Sequence, residues 1–276
     1  MTTGRHLLDG RFTAWLAAPD PPTPLWLFVH VPKTAGSSLA ADLGALLPPY
    51  RSIHIDHTDR SRPAPDRYDD ATDAFLARQA MDPCRFASGH VQFRHVRRIL
   101  DGVPGTRLFT MLREPIARLV SDYLYQRSPM HPLAAEMRAR IPDFAAFIEL
   151  KGQRNRAARH LLPPNVAEAE PEVALGMLRD RYAFIGIQER YALSFRALAL
   201  LVVGSPARPG APKRVNDGAT AEKAAVMAAL DNTALRTRIA DLNALDIALY
   251  QAVAADWAKI AAPLVALLTS RESQGR

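Results

Sequence analysis

Short apolar runs bounded by proline or polar loops alternate along this chain with stretches of helical spacing. LWLFVHV (Leu25–Val31) is an unbroken apolar, aromatic and β-branched run, the pattern of a strand buried on both faces as in a parallel sheet. PKTAGSS follows it, and from Ser38 the segment SLAADLGALL puts Leu39, Leu43 and Leu46 or Leu47 on one helical face. RFASGH (Arg85–His90) predicts a second short strand, TRLFTMLRE (Thr106–Glu114) a third and YAFIGI (Tyr182–Ile187) a fourth. Pro115 suits a first helical turn, and Ile116, Leu119, Val120 and Tyr123 give the helix after it an apolar face.

The remaining segments are polar or helical. Residues 56–73 are polar and proline-containing, predicting an exposed loop that leads into a helix around Ala74–Ala80. Residues 133–200 are mostly helical, broken at Pro163 and Pro164, with a helix starting near Glu189. Residues 204–219 predict a Gly/Pro-rich loop with a basic centre, and about 220–268 two alanine- and leucine-rich helices. Residues 1–24 end in the turn-rich PDPPTP and read as a leader before one domain spanning 25–276. Strands alternating with helices predict an α/β fold: a P-loop-like parallel β-sheet flanked by helices, with a helical C-terminal part.

Composition narrows the function classes. Of 276 residues 48% are hydrophobic and 23% charged, which excludes a wholly disordered chain. Cys84 is the one cysteine, so an internal disulfide and a CxxC zinc site are both ruled out. The net charge of +7 suits an anionic ligand, but no Lys/Arg run resembles a nucleic-acid tail. No stretch approaches the ~18 consecutive apolar residues of a membrane span. Asp9 and Arg11 interrupt any signal-peptide core, so a cytoplasmic protein is expected.

HVPKTAGSS (His30–Ser38) carries the clearest chemistry. Small residues between a buried strand and a helix aim backbone N–H groups and the helix dipole at one point. Gly36 allows close backbone approach, Ser37 and Ser38 offer hydroxyls, and Lys33 adds a mobile positive charge. The alternative is a tight strand–helix turn with an exposed lysine. It is not a Walker A loop, because its lysine comes early and no Gly-Lys pair precedes the helix. Arg113 ends the third strand where a P-loop NTPase keeps a magnesium-binding aspartate, so a bound nucleotide should need no metal.

HVPKTAGSSL resembles the 5′-phosphosulfate loop of the sulfotransferase family that contains heparan sulfate 2-O-sulfotransferase-like enzymes. LREPIARLVSDY (Leu112–Tyr123) is similar to that family's 3′-phosphate motif, and SGHVQF (Ser88–Phe93) lies where it carries a catalytic histidine. Ser88 itself stands where some relatives have a second histidine. FIGIQERYALSFRAL (Phe184–Leu198) and LNALDIALYQ (Leu242–Gln251) look like the family's later segments, so the resemblance spans roughly residues 25–255.

The resemblance implies transfer of a sulfuryl group from 3′-phosphoadenosine 5′-phosphosulfate to a hydroxyl acceptor such as a saccharide, without a metal. Lys33, Thr34 and the amides of Ala35, Gly36, Ser37 and Ser38 would hold the 5′-phosphosulfate. Arg113 and Ser121 would hold the 3′-phosphate, although a salt bridge from Arg113 to Glu114 or Asp122 is the alternative. His90 would be the general base, with Lys33 stabilising the departing phosphate. Asn155 and Arg159, with Arg156 between them, match a family segment near the acceptor; a solvated basic helix face is the competing reading. Arg214 and Asn216, in the second loop, could close over the nucleotide. Arg118 is expected on the surface, His95 either as a helix residue or as a second base candidate, and His30 as a strand residue beside the loop. An atypical magnesium-dependent P-loop kinase and a non-catalytic polyanion-binding protein are the rival functions.

Overall fold

A computed structural model describes residues 4–17, 23–59, 61–166, 170–211 and 220–274. Among these, β1 (Trp26–Val29), β2 (Tyr50–Ile53), β3 (Phe86–Gly89), β4 (Arg107–Leu112) and β5 (Tyr182–Ile187) form one sheet in the order β2-β3-β1-β4-β5. Every pairing is parallel. Every residue of β1, β3 and β5 is buried, which accounts for the apolar runs of β1 and β5; β3, FASG, buries Ser88 as well. The edge strand β2, YRSI, is half polar and largely exposed, so its sequence carries no strand signature.

The helices are α1 (Gly4–Leu8), α2 (Phe12–Trp15), α3 (Gly36–Leu46), α4 (Ala64–Met81), α5 (Phe93–Gly102), α6 (Pro115–Arg127), α7 (Ala134–Arg140), α8 (Phe144–Ile148), α9 (Arg156–Leu161), α10 (Pro171–Arg181), α11 (Tyr191–Val203), α12 (Thr220–Ala229), α13 (Thr233–Leu242) and α14 (Ala244–Gln274). α3 and α11 touch each other, as do α4 and α5, and α5 and α9, and right-handed crossovers between parallel strands place such helices on both faces of a sheet. Around α6, Leu119 and Tyr123 join Phe144, Phe147, Val226 and Ile239 in a second, smaller core. By length and composition α14 is apolar enough to cross a membrane. In the structure it buries Leu249, Val253, Trp257, Ile260, Leu264 and Leu268 along one side, with α10, α11 and β5 among its neighbours.

Several boundaries differ from those read in the sequence. The helix expected at Ala74 begins ten residues earlier, at Ala64. Its first turns are polar because they lie on the surface, and only Thr72, Phe75 and Gln79 are buried. The C-terminal region holds three helices, because Asn232 caps α13 by accepting from Leu235 N. Residues 4–17, expected as part of a leader, belong to the main core. There Leu7, Leu8 and Trp15 are buried, and Trp15 Nε1 donates to the carbonyl of Ala183 on β5 at 3.1 Å.

Trp15→Ala should therefore cost about 3–5 kcal/mol, the usual cost of emptying a buried tryptophan site. Urea denaturation measures this; a change within about 0.5 kcal/mol would mark the segment as a dispensable leader.

Candidate active site

The chain leaves β1 toward one edge of the sheet and leaves its neighbour β4 toward the other. Their loops diverge and open a crevice beyond the strands' carboxyl ends, where open α/β sheets bind ligands. A cleft of about 1290 Å³ lies there, bordered by the loop after β1, the ends of β3 and β4, and α6.

The loop after β1 is shaped by its backbone. Lys33 and Ala35 adopt left-handed conformations (φ 71° and 63°), which curl the loop so that successive amides turn toward one side. No side chain caps α3, so the amides of its first turn lack intrahelical partners and face the cleft with the positive end of the helix dipole. Thr34 departs from expectation: it is buried beneath the loop, and its hydroxyl donates to the carbonyl of Val31 at 2.8 Å. It braces the loop and does not border the cleft.

Lys33, Ala35, Gly36, Ser37, Ser38, Arg113, Ser121 and His90 all border the cleft. Arg113 donates from Nη1 to the carbonyl of Lys33 at 3.1 Å, tying the end of β4 to the loop. Burial pulls its guanidinium below the ordinary arginine range, opposed by Glu189 and Glu114. Glu114 is otherwise engaged as the cap of α6, accepting from Ile116 N and Ala117 N. The Lys33 ammonium sits 3.9 Å from the centre of the Tyr125 ring. Tyr125 is one helical turn beyond Ser121, and that i, i+4 spacing could have identified it.

Six of the chain's eight histidines border the cleft, so their number does not single out a base. Their bonding does. His95 takes part in the capping box of α5, its Nδ1 accepting from Gln92 N, so its Nε2 carries the proton and lies 3.4 Å from Asp69 Oδ1. His30 and His160 are held neutral chiefly by burial. His90 Nδ1 lies 2.9 Å from the carbonyl oxygen of His30. A carbonyl only accepts, so Nδ1 carries the proton and Nε2 keeps the lone pair. Burial pushes the His90 imidazole down to about 4, against the pull of the His30 carbonyl, and the ring is neutral at physiological pH.

The acceptor-side residues are rearranged from those expected. Arg159 turns away from the cleft and donates to the carbonyl of Lys151. Asn155 is left-handed (φ 41°), and its side chain accepts from Asp246 N at 3.1 Å. Asp246 in return accepts from Ala157 N and Ala158 N, both at 2.8 Å. Each of α9 and α14 therefore has N-terminal amides capped by the other's side chain, a role that removes Asn155 from the cleft lining. Arg156 and His160 border the cleft instead. Arg156 pairs with Asp122 at 2.6 Å, and Asp122 also accepts from Gln153 at 3.0 Å. Burial alone would raise the Asp122 carboxyl, but Arg156 and Arg118 outweigh it and hold the group below the usual carboxylate range. Arg118, expected on the surface, is buried in this network and donates to Gln153. Gln153 has no local sequence signature. Arg214 and Asn216 lie outside the described residues.

Asp246→Ala would leave the Ala157 and Ala158 amides unpaired and remove a buried countercharge near Arg118. The expected loss is about 3–5 kcal/mol in a urea titration; a loss under 1 would mean that the mutual caps do not hold α9. Acid should also destabilise the fold. In the unfolded chain histidines take up protons near pH 6.5, whereas folded His90 does so only near 4, and His30 and His160 are also lowered. Between these values the unfolded state binds more protons, so stability falls as the pH is lowered from about 6.5 toward 4. His90→Ala should flatten that slope, and an unchanged slope would contradict a neutral, half-buried His90.

Comparison of the sequence with protein-family models gives no match, and comparison with curated proteins likewise gives none.

Proposed function

We propose that this chain is a sulfotransferase that moves a sulfuryl group from 3′-phosphoadenosine 5′-phosphosulfate to a hydroxyl acceptor, with a saccharide as the leading acceptor class. The observation that carries this reading is one cleft bordered by two separate anion-directed groups and a neutral histidine. The uncapped start of α3 with Lys33 is the first group, and Arg113 with Ser121 is the second. A donor with a 5′-phosphosulfate and a separate 3′-phosphate needs two such sites. The central strand, followed by a curled small-residue loop and a helix, also supports reading the fold as P-loop-like.

In the proposed reaction the acceptor oxygen attacks sulfur as the bond from sulfur to the 5′-phosphate oxygen breaks. The acceptor proton passes to His90 Nε2, the nitrogen left basic by the hydrogen bond at Nδ1. Negative charge develops on the departing phosphate, where Lys33 and the α3 amides stabilise it. The products are the sulfated acceptor and adenosine 3′,5′-bisphosphate. The reaction as proposed uses no metal. Arg156, held by Asp122, replaces Asn155 and Arg159 as the proposed acceptor contact.

Calorimetric titration with adenosine 3′,5′-bisphosphate in magnesium-free buffer, with magnesium-ATP as the control, tests this reading. Binding that disappears with the 3′-phosphate is expected; a preference for magnesium-ATP would return the kinase reading to first place. Arg113→Ala should weaken the bisphosphate by about 1.5–3 kcal/mol, as expected for lost charged hydrogen bonds. His90→Ala should leave that affinity within a few-fold while cutting turnover on a hydroxyl-acceptor panel by about 10²-fold or more. Normal turnover in both variants would overturn the site assignment.

A further inference from the structure

One face of the sheet carries a column of rings that runs from the core to the candidate base. Phe86 and Phe109 have centroids 5.8 Å apart, and Phe109 stacks on Phe28 at 5.2 Å with an 11° interplanar angle. Phe28 stacks on His30 at 5.1 Å and 17°, and His30 meets His90 at 4.1 Å and 31°. Strand geometry supports the column, because residues two apart share a face, as Phe28 and His30 do.

His30 makes a second ring contact, with the phosphate loop. A β-carbon on Gly36 would lie 1.9 Å from His30 Nε2 and 2.1 Å from Cδ2. The imidazole therefore occupies the space that any other residue at the first position of α3 would fill. The His30 backbone also donates to Gly89 O at 3.0 Å and accepts from His90 Nδ1. One residue thus touches both the loop and the base.

We infer that His30 is a positioning residue whose ring, wedged between Gly36 and His90, holds the His90 imidazole in one plane and one tautomer beside the phosphate loop. What this ordering does for catalysis rests on the sulfotransferase reading; the ordering itself is tested without it. The His30 carbonyl fixes one nitrogen of His90, but a ring held at one atom can still swing about that bond. The stack removes that freedom, as a second contact does for many functional histidines. The ring must also be neutral, and its surroundings favour that state. Burial, then His90, His160 and Lys33, hold it well below the usual histidine range. When His90 takes the acceptor proton, the neutral ring of His30 presents a π face to the imidazolium.

The test is an imidazole ¹H–¹⁵N correlation spectrum of the whole chain near pH 7, with His90 assigned by its loss in His90→Gln. Wild type should give His90 the two widely separated nitrogen resonances of a single Nδ1–H tautomer. In His30→Ala the residue-30 carbonyl is kept but the unstacked ring swings out of line with it, so the Nδ1–H bond weakens. These resonances should then move toward each other as both tautomers are sampled, while near-UV circular dichroism stays native. Unmoved His90 resonances would overturn the inference. Should His30→Ala not fold, Gly36→Ala decides, because its methyl forces the His30 ring from its seat. The same convergence is expected there, and wild-type positions would again overturn the inference. Bisphosphate titration of the wild type is a separate arm: absence of binding refutes the sulfotransferase reading, whereas the spectra report on His30 whatever that result.

Discussion

Parallel pairing in register is the constraint from which the cleft follows. Val29 lies opposite Gly89, so β1 and β3 end at the same level, while Phe28 lies opposite Phe109 and β4 runs about two residues further, to Leu112. The His30–Gly89 backbone hydrogen bond extends that register one residue past the strands. The next residues along each strand are His30 with its loop, His90, and Arg113, which is why groups distant in sequence share one crevice. A one-residue slip would turn these side chains to the opposite face. Continuous burial of the strands resists such a slip, because it would drive the ring column out of its packing.

The wall built by α6, α9 and α14 is held by buried charge. Arg118, Asp122, Arg156 and Asp246 bring two positive and two negative groups together, with Gln153 bonded to three of them. Isolated, any of these charges would cost several kcal/mol to bury. Assembled, they neutralise one another, and Asp122 fixes the direction in which Arg156 enters the cleft. The mutual capping of α9 and α14 adds directional bonds from Asn155, Asn243 and Asp246. A six-residue helix such as α9 has little stability of its own and depends on such partners.

The parts of this molecule that could be read in the chain were those encoded over a few neighbouring residues. Leu25–Val31 and Tyr182–Ile187 announce buried strands through unbroken apolar runs, and Pro115 and the small-residue loop announce helix starts. Motifs single out Lys33, Gly36, Ser37, Ser38, Arg113, Ser121 and His90, all of which border the cleft. The edge strand β2 and the first turns of α4 carry no such pattern, because an element exposed on one side needs few apolar residues. Thr34 was misplaced because a loop sequence does not say which side chain turns under it.

The sequence by itself determined the alternation of strands and helices, the character of the loop after β1, and the residue types available for chemistry. These depend on local spacing, backbone preference and side-chain type. Only the tertiary structure decided that Arg156 borders the cleft while Arg159 leaves it, that Arg118 is buried, and that Asn155 caps a helix. It alone decided that His30 bridges Gly36 and His90. Each of these outcomes depends on a partner far away in the chain, Asp122, Gln153, Asp246 or the far side of the sheet, and such contacts leave no periodic trace in a single sequence.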